Sequence, residues 1–272
     1  MTETSAFGVS GLLTLPDGRR LHHVSRGEGE PVVVLESGLG GSRADWGLVL
    51  PGLAGHTRVV AYDRAGLGRS DPDPARRDLD RMADDLGHLL DGLGAERYVL
   101  VGHSLGGPII RTYAARHPAR VAALVLVDPA DETLGTYYTL KHRLLVRGIT
   151  FVMEMLSRAG YRKLPGGSGR DAFPPEMRAE AEPELTSPRA LRAGRAEAAA
   201  LAYGLRRLRD SPVSPPPVPI TVISGARSRA ELVAAHRAFA EAHGRHVTAE
   251  RSGHMVQMDQ PDLVVEEIVR LL

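Results

Sequence analysis

A serine stands midway between two glycines in Gly102-His103-Ser104-Leu105-Gly106, inside the longer stretch VLVGHSLGGPII. A serine hydroxyl becomes a nucleophile when the backbone presents it and a neighbouring base takes its proton. Glycines two places before and two places after let a strand and the following helix approach closely, with the serine on the sharp turn between them. Such a turn exposes Ser104 Oγ at a helix N-terminus and points the Leu105 amide toward any oxyanion that forms there. Two other readings of the glycines fail. No lysine follows Gly106-Gly107, as a phosphate loop would require, and SGLGGS lacks the third glycine of a dinucleotide fingerprint.

The turn needs a rigid strand before it and a helix after it, and the surrounding pattern supplies both. PVVVLES (31–37), TRVVAYD (57–63), RYVLVGH (97–103), VAALVLVD (121–128) and VPITVIS (218–224) are continuous apolar runs. Strands buried on both faces of a parallel sheet have this pattern. RHVTAERSG (245–253) is a weaker last strand, and GLLTL and RRLHHVS flank Pro16-Asp17-Gly18 as an antiparallel hairpin. Leu79, Met82, Leu86, Leu89, Leu90 and Leu93 recur at helical spacing, with Gly94 as terminator. GPIIRTYAARHP forms the helix after the serine, and PDLVVEEIVRLL closes the chain with proline at a first helical position. The alternation predicts an α/β fold with right-handed crossovers. Residues 131–214 break it with helical patterns interrupted at LPGGSGR and FPPE, and return through the proline-rich SPVSPPPVP. Ser187 and Pro188 mark one helix start there. The expected organisation is a core of residues 1–130 and 215–272, with a helical cap insertion at 131–214.

Composition bounds the rest. A chain of 272 residues with 43% hydrophobic residues can bury a large core. A net charge of +1 gives no global reason to expect nucleic acid as a partner. The absence of cysteine excludes disulfides, thiolate metal sites and a cysteine nucleophile. MTETSAFGVSG has no signal-peptide pattern, and no apolar run reaches the roughly 18 residues of a membrane span. The expectation is a cytoplasmic protein without a membrane partner.

At the serine turn, and at three further stretches, the sequence resembles the α/β-hydrolase superfamily, in its capped, esterase and haloalkane-dehalogenase-like branch. ESGLGGSRADW stands where that family has its His-Gly-x oxyanion loop, YDRAGLGRSD is similar to its D-x-x-G-x-G-x-S turn, and SGHMVQMDQPDLVVEEI to its terminal histidine loop and helix. The resemblance implies a mostly parallel eight-stranded sheet and makes His254, among 11 histidines, the general base. His22, His23, His88, His117 and His142 have polar or basic neighbours and read as ordinary surface residues. It implies that the Leu39 amide pairs with that of Leu105 as an oxyanion hole, although Ser37 replaces the usual histidine. Glu36 beside that loop reads as structural, because a free carboxylate there would oppose a developing anion. Asp63 reads as a loop-fixing carboxylate. Serine at position 104 excludes the haloalkane and epoxide hydrolyses of this family, which need a carboxylate nucleophile.

The place where that family usually carries its triad acid holds no acid here. That place follows PITVISG, where Ser228 stands, and a hydroxyl cannot stabilise an imidazolium by charge. Some haloalkane dehalogenases carry the acid one strand earlier, and here that strand end carries Asp128. Glu231, Asp131 and a serine–histidine dyad remain open alternatives. The resemblance then implies hydrolysis of an ester, thioester or lactone through an acyl-enzyme on Ser104, without metal or organic cofactor. Acyl transfer to another acceptor uses the same residues, a non-catalytic small-molecule receptor would keep only the fold, and carbon–carbon hydrolysis of a diketone is a third possibility. The pocket for a small acyl substrate is expected against the insertion, with Trp46, Tyr137, Tyr138, Met153 and Met155 as candidate lining.

Overall fold

A computed structural model describes residues 3–161, 172–212 and 214–272. Nine strands form one sheet: β1 (Glu3–Ser5), β2 (Gly8–Thr14), β3 (Arg20–Arg26), β4 (Val32–Glu36), β5 (Val59–Tyr62), β6 (Tyr98–His103), β7 (Val121–Val127), β8 (Ile220–Gly225) and β9 (Arg245–Ala249), in the order β1-β2-β3-β5-β4-β6-β7-β8-β9. The first three strands and β5 pair antiparallel, and from β5 to β9 every pair is parallel. The count exceeds the expected eight by β1, a three-residue edge strand aligned with β2 from Glu3↔Ser10 to Ser5↔Gly8. Its Glu-Thr-Ser sequence offers no apolar run, so pattern alone does not mark it. Every residue of β4, β5, β6 and β8 is buried. This two-sided burial is what their unbroken apolar sequences predict.

Helices α1 (Leu50–Leu53), α2 (Leu79–Leu93), α3 (Gly106–Arg116), α4 (Leu140–Arg158), α5 (Pro175–Leu185), α6 (Pro188–Asp210), α7 (Ala230–His243), α8 (Val256–Asp259) and α9 (Pro261–Val269) complete the described elements. The leucines of α2 pack with α3 on one face of the sheet, and α1, α8 and α9 cover the other. Asp78 caps α2 by accepting from the Arg81 amide, and Gly94 ends it at φ 80°. Parallel pairing puts the C-terminal ends of β4, β6, β7, β8 and β9 at one rim, where an open α/β sheet collects its binding loops.

The insertion leaves the sheet after β7 and returns at β8, its parallel neighbour. Among its described residues it holds α4, α5 and α6; the LPGGSGR break lies outside the described residues. Ser187 caps α6 by accepting from the Ala190 amide, as the Ser-Pro start predicts. α4 and α6 pack on each other. Leu144, Leu145, Ile149 and Val152 of α4 face solvent, while its Thr150 and Met153 turn toward the sheet rim. No helix among the described residues is long and apolar enough to cross a membrane.

Candidate active site

Ser104 and Asp128 are the two non-glycine residues with positive φ among the described residues, at 50° and 41°. Both sit directly after parallel strands, β6 and β7. A backbone in the left-handed region costs a side-chain-bearing residue free energy, so the surrounding contacts must impose it. For Ser104 those contacts are visible. A Cβ on Gly102 would lie 2.6 Å from the Gly106 carbonyl, and one on Gly106 would lie 2.5 Å from the Glu36 carbonyl oxygen. The two glycines therefore permit the strand-to-helix approach that the motif predicts. The Ser104 amide donates to Val127 O at 3.1 Å, and Ala130 N donates to Ser104 O at 2.9 Å, fixing the turn to the end of β7.

Asp128 is fully buried and takes three hydrogen bonds. Gly225 N donates to Oδ1 at 2.9 Å, Ser228 Oγ to Oδ2 at 2.8 Å, and His254 Nδ1 lies 2.7 Å from Oδ2. Burial works against the charge, but the bonds from His254 and Gly225 hold the carboxyl below its ordinary range. The other candidate acids do not reach the histidine. Glu231 is exposed and pairs with Arg229, and Asp131 is occupied by the Thr133 amide and hydroxyl. Ser228, which stands after β8 where the sequence reading looks for an acid, donates instead to Asp128 at the end of β7. The His254 ring is about half exposed, at 48%. His103 lies beneath it with ring centroids 4.7 Å apart and donates Nε2–H to the His254 carbonyl at 2.8 Å. Burial, then the adjacent His254, push the His103 imidazole down to about 3. It therefore stays neutral and supports the loop. Among the described residues no side chain hydrogen-bonds the Ser104 hydroxyl, which is left free to rotate toward a bound molecule.

The loop after β4 is held from behind. Arg64 donates to the carbonyls of Ser37 and Gly38, each at 2.6 Å, and to Glu36 Oε1 at 2.6 Å. Glu36 also accepts from the Tyr62 hydroxyl. It points into the core, as a structural carboxylate should. Burial lifts its carboxyl above the ordinary range despite Arg64. Glu197 of α6 accepts from Arg64, Arg77 and the Gly40 amide. Burial opposes the Glu197 charge, and Arg64 and Arg77 hold its carboxyl down at about 2. The amides of Leu39 and Leu105 donate to no other described group, unlike that of Gly40. Sequence reasoning missed Glu197 and the part played by Arg64. The available signal was a single acid in the otherwise basic and alanine-rich AGRAEAAALAYG.

Ser104, His254, Leu39 and His103 open onto a cavity of about 380 Å³, closed on the insertion side by Thr150, Met153, Leu185, Leu191 and Arg195. Of the five expected lining residues only Met153 is in place. Trp46 is wholly buried in the core between the sheet and α1. Tyr138 turns outward, donating to the Glu132 carbonyl at 2.6 Å beneath Arg209. Tyr137 packs edge-on against His142 at 5.6 Å. Met155 lies two residues past Met153, about 200° around the helix, and so faces away. Among the described residues no group of three or more metal-ligating side chains is gathered.

A serine, a histidine and an aspartate meet a second time. Ser10 Oγ lies 2.7 Å from His22 Nε2, and His22 Nδ1 lies 2.9 Å from Asp63 Oδ2. His22 is thus buried, contrary to its polar sequence surroundings. Asp63 is also claimed by the Arg43 guanidinium at 2.7 Å and by the Arg43 and Arg69 amides. Ser10 sits mid-strand and is no part of the Ser104 cavity. Hydrogen-bond distances alone do not make a site; the cavity, the free amides and the strained turn separate Ser104 from Ser10.

Comparison with known proteins bears on the fold and the family. Proteins named "Putative carbamate hydrolase RutD" match over part of their length. The one from Agrobacterium fabrum is 36% identical over 119 residues, covering 42% of this chain and 46% of the relative. That from Variovorax paradoxus is 47% identical over 116 residues, covering 40% and 42%. The chain thus spans less than half the length of these curated relatives. Among solved structures, the epoxide hydrolase CorEH superposes with TM-score 0.78 at 22% identity, covering 96% of this chain and 97% of that one. The enol-lactonase from Burkholderia xenovorans LB400 superposes with TM-score 0.75 at 23% identity, covering 96% and 99%. Likeness at this identity establishes the fold alone. The model of the alpha/beta hydrolase fold family matches residues 31–261, a span that includes Ser104, Asp128 and His254, and the chain belongs to that family.

Proposed function

We propose that the protein is a serine hydrolase that cleaves a carboxylic ester, thioester or lactone through an acyl-enzyme on Ser104. The observation that carries this reading is the 2.7 Å contact between His254 Nδ1 and the buried Asp128, at a cavity shared with Ser104. Asp128 fixes the tautomer with hydrogen on Nδ1, leaving Nε2 as the base. His254 takes the Ser104 proton as Oγ attacks the carbonyl carbon. The carbonyl oxygen becomes an oxyanion, received by the amides of Leu39 and Leu105. Collapse of the tetrahedral intermediate expels the alcohol or thiol, protonated by His254. Water, deprotonated by the same histidine, then attacks the acyl-enzyme and releases the acid. Every step uses protons already present, so no cofactor is required. The names of the curated relatives support adding carbamates to the substrate panel.

The test combines a panel of p-nitrophenyl esters of increasing length, lactones, acyl-thioesters and carbamates with labelling by a fluorophosphonate. Adduct on Ser104, and a loss on the order of 10⁶ in kcat for Ser104→Ala, are the expected results. Wild-type protein that neither labels nor turns over would leave the receptor reading standing. Product formation that requires an added alcohol or amine would make the protein an acyltransferase.

A further inference from the structure

We propose that Glu197, carried on α6 of the insertion, is the positioning residue of the oxyanion loop, so that the insertion helix sets the Leu39 amide. The inference rests on the Ser104 acyl-enzyme reading and assigns part of its machinery to an element outside the sheet. The Glu197 side chain is fully buried, and both of its oxygens are used twice. Oε2 accepts from Gly40 N at 2.9 Å and from Arg64 Nη2 at 2.8 Å. Oε1 accepts from Arg64 Nε at 2.9 Å and from Arg77 Nη2 at 2.8 Å. Arg64 in turn fastens the Ser37 and Gly38 carbonyls. Three successive anchor points of the loop are thus turned inward, at residues 37, 38 and 40. The Leu39 amide lies between them and is not drawn into the network.

Two further observations tie this arrangement to α6. Gly40 adopts φ 66°, and a Cβ on Gly194 of α6 would stand 3.2 Å from the Gly40 Cα. Helix and loop are therefore in backbone contact one turn from Glu197. Neutralising Arg64 does not by itself require Glu197, since Glu36 already pairs with it at 2.6 Å. What Glu197 adds is the acceptor for Gly40 and the second clamp on the guanidinium. An oxyanion donor is effective when its direction is fixed before reaction. Without Glu197 the loop keeps its sequence but loses the restraint on its amides.

The experiment measures Glu197→Ala, Glu197→Gln and Gly194→Ala against wild type on one short p-nitrophenyl ester. An aryl boronic acid serves as transition-state mimic and the matching unreactive ketone-free amide as ground-state ligand. The expected result for Glu197→Ala is a fall in kcat on the order of 10² to 10³, the range for loss of one oxyanion donor. KM and amide affinity should stay within about threefold, while boronate affinity falls with kcat. Glu197→Gln keeps an acceptor for Gly40 and should recover at least about tenfold of the loss. Gly194→Ala pushes the loop by a few tenths of an ångström and leaves the charges alone, so it should lower kcat even if Glu197→Ala does not fold. Folded variants with wild-type kcat, or with raised KM at unchanged kcat, would overturn the inference by making Glu197 a packing or cavity residue. Fluorophosphonate labelling of wild-type Ser104 is scored separately. If that labelling fails, the underlying hydrolase reading is lost, whatever the variants do.

Discussion

Asp128 carries two local costs, a buried charge and a left-handed backbone, and three hydrogen bonds offset them. Asp128→Asn preserves the shape but presents the wrong partner to His254 Nδ1. It should lower kcat on the order of 10⁴ in a variant shown by circular dichroism to be folded. Ser228→Ala removes one charge-assisted bond and should cost about 1.5–3 kcal/mol of stability in urea unfolding. Ser228 Oγ already lies 2.8 Å from the Asp128 oxygen that His254 contacts. Ser228→Asp in the Asp128→Asn background therefore places a carboxylate in reach of the imidazole and should restore activity in part. No recovery, with Asp128→Asn near wild type, would demote Asp128 to a turn residue. The sequence brought out Ser104, His254 and Asp128 as candidates because each follows an apolar strand or lies in a glycine loop. It could not show that Ser228 donates to Asp128, since a hydroxyl donor leaves no pattern. His103 gives a second residue-scale prediction. Its folded pKa, near 3, lies below its ordinary 6.5, so between these values the unfolded chain binds the extra proton. Its contribution to stability is complete above pH 6.5 and is lost as pH falls toward 3. Urea unfolding from pH 7 to 4 should show a slope shallower by up to about 1.4 kcal/mol per pH unit in His103→Gln. An unchanged slope would mean that His103 is already protonated in the folded protein.

The elements differ in how much of them a sequence pattern can show. The parallel strands were legible because two-sided burial leaves no polar interruption, and α2 because its leucines keep one phase for 15 residues. The cavity wall was not legible. A helix of the insertion faces the sheet rim on one side and solvent on the other, so its apolar residues do not reveal which face is which. α4 exposes Leu144, Leu145, Ile149 and Val152 and directs Met153 into the cavity. Met153 and Met155 therefore make a sharp comparison. Met153→Ala should change relative kcat/KM between short and long acyl esters by tens of fold or less, as apolar pocket contacts do. Met155→Ala should scale all substrates alike. Equal selectivity changes from both would mean that α4 sits in a different phase. The turn that carries Ser104 tests the other kind of element. Gly106→Ala would bring a Cβ within 2.5 Å of the Glu36 carbonyl, and backbone cannot swing aside as a side chain can. Lost fluorophosphonate labelling is expected even where the variant folds.

At the scale of the whole molecule the near balance of 34 basic and 33 acidic residues conceals where the charges are. Composition suggests a solvated surface, yet the charges that join insertion to core are inside. Arg43, with 0% of its side chain exposed, meets Asp63 of the core and Glu180 and Glu184 of α5, each at 2.7 Å. Arg64 joins Glu36 of β4 to Glu197 of α6. A buried ion pair is weak evidence of net stabilisation, because desolvation of both partners opposes their attraction. Breaking one from a single side is a different matter, since the remaining charge stays in a medium that cannot solvate it. Arg43→Met fills the space but leaves Asp63 buried among hydrogen bonds without its guanidinium. Its expected cost is on the order of 3–5 kcal/mol in urea unfolding. Arg69 also bridges Glu180 and Glu184, but its side chain is 31% exposed. Arg69→Met should cost about 1 kcal/mol or less, because water screens that pair. Hydrogen exchange locates the effect. If Arg43 fastens the insertion, the amides of α5 and the start of α6 should lose protection in Arg43→Met before those of β6 and β7 do. Uniform loss across the sheet would assign Arg43 to the core alone. A change below about 1 kcal/mol would show that the apolar face of α5, Met177, Ala181 and Leu185 packed on the core, holds the insertion without the charges.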